Sequence, residues 1–260
     1  MNRVRDLSDE KIGKLMLKFY VPAFTGIIAG ALYNIIDRIL IGRTVGHLAI
    51  SGLSVTFPIM IIIMAFGMLA GLGSSVLVSI ALGRGDREQA EKVLGNGLFL
   101  MILLSLVLTA AGFLTKNFIL NSFGATDKTI VFADQFLTII LMGTIFGIIG
   151  NGYNSVIRAE GNANRAMVST LISVGINIVL GIIFILIMGL GVRGAAAATV
   201  IAQFVLAAYV LLHFTGGKSV VRLYLKNMRP DFLIIKNIVS AGMPPFIMQI
   251  AASVIQALYN

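Results

Sequence analysis

The chain has 260 residues, of which 58% are hydrophobic and only 12% charged, with 20 Lys and Arg, 11 Asp and Glu and no cysteine. Soluble domains carry about 25% charged residues, so this balance excludes an ordinary soluble domain. The missing cysteine excludes disulfide frameworks and thiol chemistry.

Seven runs lack Asp, Glu, Lys and Arg altogether: 19–36, 44–83, 93–115, 135–157, 166–192, 194–217 and 237–260. A helix needs ~20 such residues to cross ~30 Å of hydrocarbon. The pattern predicts an all-α polytopic membrane protein. Arg38, Arg43, Lys116, Lys128 and Arg193 fall on one flank of these spans, and the other fifteen of the 20 cations fall on the opposite flank. Basic loops stay in the cytoplasm. The N-terminus and the loops at 83–92, 158–165 and 217–236 are therefore expected inside, in a plasma or inner membrane. The +9 net charge is accounted for by this asymmetry, and no nucleic-acid partner is expected. Eighteen charged, amphipathic residues precede a first span too long for a signal-peptide core, with no A-x-A site after it, so no cleaved signal is expected.

Span 1, about 19–42, contains Pro22 near its inner end and the stretch "ALYNIIDRILIG" at 31–42. An ionisable group at that depth is costly unless it faces a partner or water. Arg38 projects ~100° round the helix from Asp37, so it is expected to snorkel outward and to be a poor partner. His47, in the outer turn, reads as an interfacial residue. Span 2 begins near Ile50, is longer than a bilayer requires, and is expected to bend at Pro58. Its Gly67, Gly71 and Gly73, with Ser74 and Ser75, suit close helix packing. In "GRGDREQAEKV", 83–93, the embedded RGD faces the cytoplasm and is not an adhesion signal. Asp86 and Gln89 are spaced for a reciprocal capping box, and Glu88 and Lys92 for an i, i+4 pair.

Span 3 covers about 93–114 and span 4 about 134–157, with Asn151 and Asn154 in its inner half. Span 5, about 166–188, sets Thr170, Ser173, Asn177 and Gly181 on one helix face. Span 6, about 194–215, sets Thr199 and Gln203 on one face, and "GLGVRG" joins the two spans as a tight hairpin. In "GGKSVVRLYLKNMRPD", 216–231, Lys218, Arg222, Lys226 and Arg229 predict a basic stripe on an amphipathic helix lying on anionic membrane lipid. The seventh run reaches Asn260 without leaving the membrane, so a longer protein is expected.

Asp37 is the only acid well inside an apolar span. Asp, Asn and Thr offer hard carboxylate, amide and hydroxyl oxygens suited to Na⁺, whereas a proton site needs only a responsive carboxylate. A structural ion pair for Asp37, and interhelical hydrogen bonds for Asn151, Asn177 and Thr199, are the alternatives on the residues alone. Asn154 and Gln203 fit either role. No Ser–His or paired-aspartate constellation is present, with His47 and His213 near span ends, so no enzyme is expected.

Pro22 aligns with Pro245, laying "FYVPAFTGIIAGALYNIID" over "SAGMPPFIMQIAASVIQALYN" with Asp37 opposite Asn260, although the identical "ALYN" stretches sit three residues out of that register. Six spans separate the two, so the repeats enter the membrane in the same direction, as in transporters with a path between two halves.

The stretches "VPAFTGIIAGALYNIIDRILIGRTVG", "SIALGRGDREQAEKVLGNGL", "RAEGNANRAMVST" and "GAAAATVIAQ" resemble multidrug and toxic compound extrusion (MATE) transporters of the bacterial and archaeal type. The resemblance covers essentially the whole chain. It implies twelve helices in two lobes, of which 1–216 is the N-terminal six-helix lobe, 217–236 the cytoplasmic linker and 237–260 the start of helix 7. It implies an antiporter that exports drugs and other organic cations or amphipathic molecules against inward H⁺ or Na⁺, with no cofactor and with the C-terminal lobe as partner. It implies a cation site at Asp37, with Tyr33, Asn151, Asn177 and Thr199, a possible Na⁺ at Asp37, Asn177 and Thr199, and a helix-1 bend at Pro22. Many relatives have a second aspartate followed by proline in helix 5, where this chain has Gly181 and Ile182. A lipid-linked saccharide flippase of the same superfamily and a non-transporting membrane scaffold are the competing readings.

Overall fold

The computed structural model describes residues 12–217 and 219–258. Among the described residues seven helices are long and apolar enough to cross a membrane: α1 Ile12–Thr44, α2 His47–Gly83, α3 Arg87–Ser122, α4 Ile130–Ala159, α5 Ala163–Gly181, α6 Gly191–Thr215 and α7 Phe232–Leu258. α5 continues as a wider π-helical turn over Ile182–Ile187. α1 and α2 run unbroken through Pro22 and Pro58. The basic N-terminal segment 1–11, Lys218 and Asn260 lie outside the described residues.

Several helices outrun their uncharged stretches, and the pairing of charges explains one of them. α3 passes Lys116 because its ammonium meets Asp134 of α4 at 2.6 Å and donates to Thr138 Oγ1 at 3.0 Å. A neutralised cation near the membrane edge does not force the helix to stop.

The turn before α3 matches half of the expected capping box. Asp86 Oδ1 accepts from the Gln89 backbone N–H at 2.9 Å. Gln89 does not return a bond, because the Asp86 N–H is already given to Ala81 O at 2.9 Å. Lys92 and Glu88 pair at 2.9 Å as their spacing predicts, and Arg87 and Glu91 form a second pair at 3.1 Å.

α2 is the central element, lying against α3, α4 and α7, while α1 rests chiefly on α5. The glycines of α2 allow these approaches. A Cβ on Gly71 would sit 2.4 Å from Gly152 Cα of α4, and one on Gly73 would sit 2.1 Å from Ile238 O of α7. The α7 contact is reciprocal, since a Cβ on Gly242 would meet Leu69 O at 2.0 Å. Further out along the same seam Phe66 meets Phe246 edge-on at 5.0 Å, and Ser253 Oγ donates to Pro58 O at 3.0 Å.

The linker departs from the sequence expectation. Among its described residues only Leu225–Met228 is helical, as one 3₁₀ turn, so the predicted amphipathic helix is absent there. Several of its backbone donors go to side chains of the bundle. Arg222 N donates to Glu91 Oε1 at 3.1 Å and Asp231 N to Asn96 Oδ1 at 2.7 Å, while Asn96 Nδ2 donates to Asn227 O at 3.2 Å. Val220 N reaches Glu160 Oε2 at 3.2 Å. Tertiary partners outcompete local helix formation wherever they satisfy the same N–H groups.

Candidate functional site

A cavity of about 660 Å³ opens between α1, α2, α4, α5 and α6. Pro22, Tyr33 and Asp37 of α1, Asn151 of α4, Asn177 of α5 and Thr199 of α6 all line it. Six residues from four helices thus share one wall, although they do not all touch.

The α1–α5 seam is the polar centre. A Cβ on Gly181 would lie 3.3 Å from Asp37 Oδ1, so the carboxylate faces α5 and not lipid. Asn177 is one turn before Gly181 on the same face. Its Nδ2 donates to Thr199 Oγ1 at 3.2 Å, and that hydroxyl donates to Ala195 O at 3.0 Å. This chain of bonds fixes the Asn177 amide and leaves its oxygen over. Asp37 Oδ1 and Asn177 Oδ1 are both sealed from solvent and have no hydrogen-bond partner among the described residues.

Buried acceptors without donors are costly and uncommon. Two at neighbouring turns of one seam form an acceptor-only site. A proton on Asp37 would satisfy its own oxygen, and carboxylate, amide and hydroxyl oxygens are the donor types a small hard cation takes. The donor set therefore fits a monovalent cation or a proton. No group of three or more His, Cys, Asp or Glu side chains suited to a metal ion occurs among the described residues.

Tyr33 stands one turn before Asp37 on the cavity wall. Asn151 is more peripheral. It lines the cavity, but its Nδ2 is given to Gly147 O of its own helix at 2.9 Å, and no hydrogen bond joins it to Asp37, Asn177 or Thr199. Asn154 is the more deeply engaged asparagine, donating to Ala166 O and Ser169 Oγ, each at 2.8 Å, and so tying α4 to α5. Gln203 lines the cavity against Gly147. Arg38 does not pair with Asp37. Its guanidinium lies 4.6 Å from the centroid of the Phe57 ring.

The sequence gives no direct sign of a second buried cluster, which lies where α4 ends, α5 begins and α6 ends. Glu160, 3% exposed, meets His213 Nε2 at 2.5 Å and accepts from Asn162 Nδ2 at 2.7 Å and from Ser219 Oγ and Val220 N of the linker. Arg165 Nη1 lies 3.3 Å from His213 Nδ1. Burial pushes the Glu160 carboxyl up, but the bonds from His213, Ser219 and Asn162 outweigh it and hold the carboxyl below its usual value. The partners are 53 residues apart in sequence, so no local spacing announces them.

Residues 22–183 match the MatE family model. The multidrug export protein MepA of Staphylococcus haemolyticus (strain JCSC1435) is 27% identical over 252 residues, covering 97% of this chain and 56% of that protein. MepA of Staphylococcus aureus (strain MRSA252) is 28% identical over 237 residues, covering 91% and 52%. Among solved structures, a MATE transporter in its bent conformation superposes with a TM-score of 0.88 at 28% identity, over 96% of this chain and 56% of that one. The chain spans about half the length of the curated relatives it matches. With seven membrane-length helices, this fold and a family match over more than half its residues, the chain belongs to the multidrug and toxic compound extrusion (MATE) family.

Proposed function

We propose that residues 1–216 are the N-terminal lobe of a cation-coupled antiporter that exports small amphipathic molecules, organic cations among them, across the cytoplasmic membrane. Residues 217–236 link this lobe to a second one that begins with 237–260, and the N-terminus is cytoplasmic. The observation that carries the reading is the pair of sealed, unpartnered oxygens, Asp37 Oδ1 and Asn177 Oδ1, beside the cavity.

Coupling requires a group that is negative when empty and neutral when loaded. Asp37 alone among the cavity-lining residues is acidic. Asn177, held at its nitrogen by Thr199, supplies a fixed neutral oxygen on the same cavity wall. Tyr33 and Asn151 complete the polar wall, and Pro22 leaves a helix carbonyl on α1 without its usual N–H partner. With Gly181 adding no second carboxylate, one acid carries a proton more readily than it cages Na⁺, so proton coupling is the preferred form. A scaffold has no use for an orphaned buried carboxylate. A flippase for lipid diphosphates calls for a strongly cationic cavity, and this one balances Asp37 against Arg38 and Arg158 only.

The test is dye efflux from proteoliposomes under an imposed H⁺ or Na⁺ gradient, using the full protein. Asp37→Asn keeps the size and hydrogen bonding of the side chain and removes its charge. Gradient-driven efflux is expected to be lost while expression and assembly persist. Full coupling in Asp37→Asn would refute the assignment.

A further inference from the structure

α5 does not keep one pitch. Its regular turns end at Gly181, and Ile182–Ile187 form a wider π turn in which the Met188 N–H reaches back to Ile183 O at 2.9 Å. That bond spans five residues where an α-helical bond spans four, so the turn holds one residue in excess. π turns are rare, occur mostly singly and concentrate at functional sites. This one starts beside Gly181, the position of α5 that faces Asp37 Oδ1.

The wide turn is packed against both ends of the polar seam. Ile185, 2% exposed, is buried in one apolar cluster with Ile41 of α1 and with Ala195 and Ala196 of α6. Ile41 is one turn past Asp37. Ala195 O receives the Thr199 hydroxyl, which in turn accepts from Asn177. Against α6 the fit is close, since a Cβ on Gly194 would lie 3.0 Å from Phe184 Cβ. Ile182, Leu186 and Ile187 are exposed among the described residues, so the opposite flank of the turn carries no packing constraint from them.

A surplus residue can be carried by any turn of a helix. Moving it one turn back, toward Asn177, exchanges a few backbone hydrogen bonds, each N–H finding a carbonyl four or five residues behind it in either arrangement. The Asn177–Gly181 face then rotates against α1. The ends of α5 stay in place, the first held by the Asn154 bonds to Ala166 and Ser169 and the second by the Leu190 N bond to Phe184 O at 2.9 Å. Loading Asp37 cancels a negative charge beside that face, which supplies the difference in interaction that a shift between two states requires.

We propose that the π turn over Ile182–Ile187 is the moving part of the Asp37 site, its surplus residue shifting along α5 between the empty and the loaded state. This inference rests on the transport reading and names the element that responds to loading.

The experiment uses the full protein, otherwise free of cysteine and purified in a non-ionic detergent. A trifluoromethyl label is placed on Leu186→Cys in the turn and, separately, on Leu106→Cys of α3, both exposed positions. Fluorine NMR is recorded at about pH 5 and about pH 9, to load and to empty the carboxylate. Tyr33, Arg38 and Arg158 are the other titratable or charged side chains on the cavity wall, and the described residues of α2, α5 and α6 bring none to it. The Leu186 resonance is expected to move or split between the two conditions, the Leu106 resonance to stay, and the change to be absent in Asp37→Asn.

Deleting Ile187, which is 75% exposed, turns the Met188–Ile183 bond into an ordinary α-helical one at little loss of packing. That variant is expected to melt no lower than wild type and to lose proton-driven dye efflux by about tenfold, the size of a typical coupling between sites. Ile187→Ala restores the residue count without the side chain and is expected to recover most of the efflux. A Leu186 resonance that ignores pH, or that moves equally in Asp37→Asn, overturns the proposal, as does wild-type coupling after the deletion. Should the deletion prevent folding, the fluorine comparison in the intact turn decides alone. Wild-type efflux that ignores both H⁺ and Na⁺ gradients counts against the transport reading, whereas the fluorine comparison decides the turn.

Discussion

Asp37 Oδ1 lies 3.3 Å from the point where a Cβ on Gly181 would stand. Gly181 is therefore the position from which a second side chain would enter the Asp37 site. Gly181→Asp is expected to place a second carboxylate there, creating a pair that repels itself without a cation and binds Na⁺ with one. Thermal unfolding of the variant in detergent should rise with NaCl and not with KCl, and its efflux should acquire Na⁺ dependence. Both effects should vanish in Gly181→Asp/Asp37→Asn. Absence of any sodium-specific shift would sink this account of the seam.

The α2–α7 crossing offers a sharper stability test. A methyl at Gly73 or Gly242 would overlap a main-chain carbonyl of the other helix, and backbone cannot swing aside as a side chain does. Gly73→Ala and Gly242→Ala are each expected to destabilise the protein by about 1–3 kcal/mol. Gly175→Ala, with nothing within 4 Å, should be neutral or slightly stabilising because alanine is the better helix former. Similar melting behaviour in all three variants would contradict the packing described.

Glu160 predicts an acid limb in stability. Its carboxyl is held below the usual value of 4.5 by His213, Ser219 and Asn162. A group depressed in the folded state contributes stability that is complete above its unfolded value and lost as pH falls through the folded one. The unfolding midpoint should therefore be flat from pH 7 toward 5 with respect to this group and decline below about 4.5. Glu160→Gln should cost about 2 kcal/mol at pH 7, as expected for hydrogen bonds to a buried charge, and should flatten the acid limb. A variant that melts in parallel with wild type at every pH would remove Glu160 from the account.

Orientation is checked by labelling. Arg87, Lys128 and Lys226 are all exposed. In whole cells, cysteine at Lys128 should react with an impermeant thiol reagent, and cysteines at Arg87 and Lys226 should react only after permeabilisation. The opposite pattern would invert the topology.

The spans were legible because water and lipid sort charge so strongly that its absence over ~20 residues carries meaning. Their ends were less so, since Lys116 terminates an uncharged run without terminating α3, its charge being met by Asp134 on the next helix. The Asn177–Thr199 bond follows from two polar helix faces joined by a tight turn. The relation of Asn151 to Asn154 does not, because a spacing of three leaves open which amide turns inward. Packing against Ala166 and Ser169 decides it. The linker misled most. Its 4, 4, 3 spacing of basic residues is helical in form, but Glu91, Asn96 and Glu160 take its backbone donors, and these partners are distant in sequence.

The seam between α2 and α7 also bears on how the chain is assembled in the membrane. Apolar helices gain little from hiding from lipid, so they find one another through close-fitting surfaces of small residues. The seat for α7, around Gly73 and Leu69, belongs to the second helix inserted, and the polar anchors of the linker are complete once α3 and α4 are in place. α7 thus emerges from the ribosome with its berth already built and its approach already tethered. Ordered insertion of this kind lets the six earlier helices act as an internal template for whatever follows the linker.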